Sequence, residues 1–269
     1  MRLLTFLFLC AVGFSNAQVS ENSLRNRDDF QRIIDSHQVK GVIVVLNDKT
    51  STYYSNNFRG GALGHLPAST FKIANSMIGL ETGVIPSVDS MFHWDGQKRM
   101  FSIWERDMNL REAFQSSCVP CYQEVARKIG AERMREWLKK LNYATLISID
   151  SGNIDNFWLV GDFRITPFEQ VSFLRRFCSD ELEISPETKK KMLQIMRVEG
   201  DSTLYAKTGW TQSEGIDQGW YVGFKNTPEG RLIFALFIEQ VSAPNFMEAR
   251  KSIVKECLNL LSEPASQNE

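Results

Sequence analysis

Histidine is scarce. His37, His65 and His93 are the three in 269 residues, and none belongs to a His-x-x-x-His pair or a His/Cys cluster. The usual ligands of a zinc or iron centre are therefore missing, and no metal site is expected. Net charge is missing too, at −1 over the whole chain, so no global field draws the protein to nucleic acid, an anionic membrane or a polyanionic substrate. Lys189-Lys190-Lys191 follows the helix start Ser185-Pro186 and reads as a solvated face rather than a nucleic-acid patch. There is no phosphate-cradling glycine loop, internal repeat or low-complexity linker, and the apolar (43%) and charged (23%) shares exclude disorder and collagen. Ligand choice has to come from a local site.

Apolar runs long enough to cross a bilayer are also absent. The run from Leu3 to Phe14 is too short, but Arg2 precedes it and the small residues Ser15 and Ala17 follow it. Residues 1–17 are expected to be a secretory signal peptide, leaving 18–269 as one domain with no membrane attachment after cleavage. Cys10 follows Leu9 rather than a small residue, which argues against a lipid anchor. Export implies an oxidising compartment, expected to be a bacterial periplasm. The mature chain would keep Cys118, Cys121, Cys178 and Cys257, too few for a disulfide scaffold. Cys118-Val-Pro-Cys121 has redox-motif spacing without the preceding strand of a thioredoxin-like unit, and it reads as a structural disulfide or as two free core thiols.

What is present is an ordered alternation of sheet and helix patterns. Phe30, Ile33 and Ile34 share a face of a short helix, and Val42–Leu46, the turn residues Asn47-Asp48 and a polar-aromatic return strand predict a hairpin. The middle is helical, with segments 120–130, 131–141 and 166–177. Strand-like runs return at 202–210, 219–226 and 231–240, separated by Gly, Asn and Pro clusters that suggest an antiparallel meander. Residues 245–261 close the chain as a helix with Ile253, Val254, Cys257 and Leu261 on its core face, and a polar tail follows from Ser262. The expected class is α+β: a central antiparallel sheet of N- and C-terminal strands, flanked by helices, with a helical middle region.

Ser69 stands three residues before Lys72 at the start of an apolar segment that stops near Gly83, with Ser76 on the same stripe. Such a pair is common; Ser252 and Lys255 form a second one, which reads as solvated. Ordinarily the serine is a cap and the lysine is in water. Catalysis needs more, because a serine hydroxyl requires a base and a lysine can be one only when burial keeps it neutral. Ser117, just ahead of Pro120 at a helix start, and Lys207-Thr208-Gly209 on a strand supply further candidates. Lys207 and Gly209 share a face of that strand, and a glycine there would leave room for a substrate along the backbone.

Ser69-Thr-Phe-Lys72, Ser117-Cys-Val119 and Lys207-Thr-Gly209, in that order and spacing, resemble the three active-site motifs of class D (oxacillinase-type) serine β-lactamases. The similarity extends to His93–Gly96 (HWDG), the segment from Asp107 (DMNLREAFQSS), Asn156–Leu159 (NFWL) and Ala249–Ile253 (ARKSI). The resemblance implies a β-lactamase/transpeptidase-like fold and hydrolysis of a β-lactam through a Ser69 acyl-enzyme. It implies that carbon dioxide or bicarbonate carboxylates Lys72, making it the general base, with Val119 and Leu159 lining the pocket and the Trp158 indole donating to the carbamate. Backbone N–H groups of Ser69 and Trp210 would form the oxyanion hole, Ser117 and Lys207 would carry a proton to the lactam nitrogen, and Thr208, Gly209 and Arg250 would hold the substrate. No metal or organic cofactor is implied, and the oligomeric state stays open between monomer and homodimer.

One motif departs: Tyr143-Ala144-Thr145 stands where the family usually has Tyr-Gly-Asn. Alanine restricts the backbone and threonine lacks the amide donors. The departure motivates an alternative, a β-lactam sensor or penicillin-binding protein that stays acylated. A peptidoglycan peptidase shares two of the motifs but accounts for neither Asn156–Leu159 nor His93–Gly96.

Overall fold

The β-branched run at Val42–Val45 and the apolar run at Leu232–Ile238 are the two innermost strands of one sheet. A computed structural model describes residues 23–144, 148–241 and 245–262; the expected signal peptide, Thr145 and the tail beyond Ser262 lie outside them. The N-terminal part comprises β1 (Leu24–Asn26), α1 (Asp28–Ser36), β2 (Lys40–Asn47) and β3 (Thr52–Ser55). The middle holds α2 (Lys72–Glu81), the two-stranded β4 (Met91–Phe92) and β5 (Met108–Asn109), α3 (Leu110–Gln115), α4 (Val119–Ile129), α5 (Ala131–Lys140), α6 (Pro167–Cys178) and α7 (Pro186–Met196). The chain then runs through β6 (Leu204–Ser213), β7 (Ile216–Thr227), β8 (Gly230–Gln240) and α8 (Phe246–Ser262).

The main sheet has the order β1-β3-β2-β8-β7-β6. β8 returns the C-terminal meander to β2, with Val44 opposite Ala235. All pairs are antiparallel except β1 with β3. β1 was not foreseen in the sequence, since three residues, Leu-Arg-Asn, show no alternation. Val42, Val44 and Leu46 face a core shared with α2 to α7, whereas Ile43 and Val45 face a second core shared with α1 and α8. A sheet buried on both faces needs apolar residues at both parities, which is why β2 and β8 read as nearly unbroken apolar runs.

Several helix ends are written locally. Thr166 and Glu169 form a capping box around Pro167 at the start of α6, Asn109 and Glu112 do the same for α3, and Ser185 caps α7. α2 is different. Every residue from Lys72 to Gly79 is buried, so it is a central helix whose polar side chains must find partners inside the protein.

At Gly223, opposite Ala206, an added Cβ would lie 2.2 Å from the Tyr205 carbonyl oxygen and 2.7 Å from the Ala206 Cβ. Gly223→Ala is expected to lower stability by about 1–3 kcal/mol through overpacking. Urea unfolding should show a reduced midpoint with an unchanged slope; an unchanged midpoint would contradict the β6–β7 register.

Candidate active site

The nucleophile candidate lies in a tighter turn than the sequence suggests. Ala68–Phe71 form a 3-10 turn, and α2 begins at Lys72 rather than at Ser69. With about three residues per turn, positions i and i+3 eclipse. Ser69 Oγ thus faces Lys72, whose Nζ donates to it at 2.9 Å. The turn is anchored on both sides: the Ala68 N–H donates to the Trp158 carbonyl at 3.0 Å, and Thr70 Oγ1 donates to the Pro67 carbonyl at 2.6 Å while accepting from Gln170 Nε2 at 2.8 Å. These bonds hold Ala68 at φ 48°, a left-handed backbone that costs a residue with a side chain about 1–2 kcal/mol.

Lys72 is fully buried. Phe71 stacks on Trp158 with ring centroids 5.1 Å apart, and the Tyr122 ring centroid lies 5.1 Å from the lysine Nζ. Tyr122 is fixed in turn by a 2.7 Å bond between its hydroxyl and Ser76 Oγ. Among the described residues the buried charged side chains are Lys72, Lys207 and Arg250, with no carboxylate. Nothing therefore offsets the loss of water, and burial pushes the Lys72 amine down to about 7. The Trp158 indole Nε1 is also buried and has no hydrogen-bond partner among the described residues, an arrangement that costs about 1–3 kcal/mol unless a further acceptor occupies the pocket.

Ser117 reaches the same pocket from between α3 and α4. Pro120, expected as the first residue of its helix, is the second, behind Val119. Lys207 Nζ on β6 donates to Ser117 Oγ at 2.5 Å and to the Thr208 carbonyl at 2.9 Å. Lys207 is 3% exposed, and burial, followed by the charges of Lys72 and Arg250, lowers it well below an ordinary lysine.

β6 is an edge strand. Counting in twos from the two-residue turn Glu214-Gly215, Gly209 falls in a hydrogen-bonded pair with Trp220, and Trp210 in a non-bonded pair with Gly219. The Trp210 N–H consequently points out from the open edge. The space that Gly209 leaves is taken up by the turn: an added Cβ would meet the Pro67 carbonyl and Thr70 Cγ2, each at 3.2 Å. That glycine brings the Ser69 turn against the strand, a task that the sequence did not suggest. Gly219 admits Arg250, whose Cδ would be 2.8 Å from a Cβ there. Arg250 is 4% exposed, not a solvated helix residue, and its Nη1 donates to the Gly209 carbonyl at 2.5 Å. Burial lowers its guanidinium to about 10.

Ser69, Lys72, Ser117 and Lys207 thus form two short hydroxyl–amine pairs, with Thr208, Gly209, Trp210 and Arg250 along one edge. Val119 and Leu159 are half-buried at the start of α4 and beside Trp158. Tyr122, Gly219 and Gln170 were not foreseen, because each acts through a partner distant in sequence. The arrangement offers a hydroxyl nucleophile beside an amine that is readily neutral, a second hydroxyl able to relay a proton, and cations suited to an anionic substrate.

Residues 41–259 match the penicillin binding protein transpeptidase domain family. The chain is 38% identical to the β-lactamase OXA-48 of Klebsiella pneumoniae, over 82% of this chain and 83% of that protein. It is 32% identical to β-lactamase OXA-10 of Pseudomonas aeruginosa, over 93% and 94%. Its structure resembles that of the class D β-lactamase YbXI from Nostoc, with a TM-score of 0.83 at 36% identity over 86% of this chain and 98% of that one.

The buried lysine has a consequence for stability. Unfolding returns Lys72 from about 7 to its ordinary value of 10.5. Between these values the unfolded chain binds a proton that the folded chain does not, so stability rises with pH across that window and its Lys72 contribution is flat below it. Lys207 acts in the same direction. Lys72→Met is expected to flatten the stability curve between pH 7 and 10 in chemical denaturation without bicarbonate; parallel curves for the two proteins would contradict the dry pocket.

Proposed function

The chain belongs to the class D β-lactamases and hydrolyses β-lactams; we propose that the reaction runs through an acyl-enzyme on Ser69, with Lys72 carboxylated on Nζ as the general base. Lys72 carries this reading, as a fully buried amine lowered to about 7 at 2.9 Å from the Ser69 hydroxyl. Only a neutral amine attacks carbon dioxide, and burial makes that form available at neutral pH. The residues fit the group: a carbamate needs hydrogen-bond donors, and the unpartnered Trp158 N–H and the Ser69 hydroxyl are two, with Val119 and Leu159 as apolar walls. When present, the carbamate supplies a base oxygen in place of the amine.

Ser69 Oγ attacks the lactam carbonyl carbon as its proton passes to the base at Lys72. The Ser69 and Trp210 N–H groups stabilise the charge that builds on the carbonyl oxygen, an effect worth about 3 kcal/mol per donor. As the ring C–N bond breaks, Ser117 gives its proton to the nitrogen and recovers one from Lys207. Arg250, with Thr208 and Gly209, holds the substrate carboxylate, which also brings the negative charge that the pocket lacks. The proton on the base then passes through water to Lys207, which restores both groups; one water, deprotonated at the freed base, attacks the ester carbonyl, and that proton goes on to the departing Ser69 Oγ. Export to the periplasm of the single domain 18–269 completes the proposal; the pattern of residues 1–17 supports it, and no helix among the described residues is long and apolar enough to cross a membrane.

Two experiments check this account. With a penicillin in bicarbonate buffer, time-resolved intact-mass spectrometry should show a Ser69 adduct that forms and decays in the parent but persists in Lys72→Ala, whose turnover falls by roughly a hundredfold or more. Full turnover in that variant would sink the carboxylated base, and a persistent adduct in the parent would favour the non-hydrolysing sensor. Trp158→Phe removes only the orphaned donor, so it is expected to raise the bicarbonate concentration needed for half-maximal activity while leaving stability near the parent's. An unchanged bicarbonate requirement would remove Trp158 from the carbamate's support.

A further inference from the structure

The Cys118–Cys121 pair forms a disulfide across the first turn of α4, immediately after Ser117. Ser116 ends α3 and Cys118 caps α4, leaving Ser117 as the hinge between the two helices at φ 55°. A residue with a side chain stays in that region only when its surroundings hold it there. On the α3 side the hold is good. The Cys118 N–H donates to the Ala113 carbonyl at 2.9 Å, and the Trp104 indole donates to the Ser116 carbonyl at 2.9 Å.

On the α4 side the hydrogen bonds are poor. The cap is a sulfur rather than the usual side-chain oxygen, and it receives the Cys121 N–H at 3.2 Å. Pro120 has no N–H to give. The bond from the Tyr122 N–H to the Cys118 carbonyl is long, at 3.3 Å. A covalent closure of this turn supplies what the hydrogen bonds lack.

We propose that the Cys118–Cys121 disulfide positions Ser117 for proton delivery to the lactam nitrogen, a role that rests on the relay proposed for Ser117 above, and that opening the disulfide slows acylation. The cysteines are positioning residues and do not touch substrate. Cys118 is 1% exposed and Cys121 8%. Both wall a cavity of about 320 Å³ beside Phe92, Trp104 and Arg127, which gives a small thiol access to Cys121. A dithiol thiolate attacks Cys121 Sγ and the Cys118 thiolate leaves and is protonated; the second thiol of the reagent then displaces Cys121. Two electrons and two protons pass to the cysteines, and the dithiol becomes its cyclic disulfide.

The test compares acylation and deacylation rates, by rapid-quench intact mass with a penicillin, in the parent and in Ser117→Ala. Each is measured oxidised, and again after reduction with dithiothreitol and anaerobic desalting. Reduction is expected to slow acylation of the parent by about tenfold or more, with deacylation altered by less than about twofold. In Ser117→Ala, where no relay is left to misplace, reduction should change acylation by less than about twofold. An unchanged acylation rate in the reduced parent would overturn the proposal, and so would equal slowing in both proteins, which would mark a general structural effect. The double variant Cys118→Ala/Cys121→Ala, if circular dichroism shows it folded, should match the reduced parent; if it does not fold, the reduction series decides. Absence of any adduct in the oxidised parent would instead defeat the Ser69 reading, whereas normal oxidised turnover with no effect of reduction defeats this one alone.

Discussion

Lys72 is an amine held out of water with no acid to pair with. Buried cations ordinarily keep a carboxylate beside them, because desolvating an unpaired charge costs several kcal/mol. Here the buried charged groups among the described residues are two lysines and an arginine. The molecule relieves that cost by letting Lys72 be neutral near pH 7, and each proposed chemical role follows from this. A neutral amine can react with carbon dioxide, can leave the Ser69 proton somewhere to go, and relieves the repulsion that a charged Lys72 exerts on Lys207. The negative charge missing from the pocket is left for the substrate to bring.

Keeping that amine dry constrains the fold more than any single catalytic contact does. α2 has to run through the interior, with Asn75 Nδ2 and Ser76 Oγ bonded to Tyr122. The Tyr122 ring has to lie beside the amine, and Phe71, next to Lys72 in the chain, has to stack on Trp158. Because β6 is an edge strand, the Trp210 N–H is free to face a ligand, and Gly209 lets the Ser69 turn approach the strand. Strain at Ala68 and Ser117 marks the two places where the backbone is bent to present a hydroxyl. Ala68 is clamped by neighbouring hydrogen bonds, and Ser117 by hydrogen bonds on the α3 side and by the Cys118–Cys121 disulfide on the α4 side, as a strained functional backbone must be.

Much of this was readable before any coordinates. Periodicity located the meander and the closing helix, since Ile253, Val254 and Cys257 repeat at helical spacing and β8 is apolar at both parities. The Ser69, Ser117 and Lys207 motifs are short and chemically distinctive, so their residue types were visible, and it is the fold that converts them into contacts of 2.9 and 2.5 Å. What local sequence could not show depends on long-range packing. Tyr122 and Gln170 are ordinary helix residues until the chain folds. The 3-10 turn at Ala68 is set by the Trp158 carbonyl, which lies far along the chain. Strand β1 is too short to carry a pattern, and nothing near Gly209 in the sequence announces the approach of Pro67 and Thr70.

The state of the Lys72 amine can be observed directly by carbon-13 NMR of the mature protein in labelled bicarbonate. The account predicts one protein-bound carbamate resonance that grows as the pH is raised through about 7 and is absent from Lys72→Met. Steady hydrolysis of a penicillin with no such resonance would contradict it, and would leave the amine itself as the base.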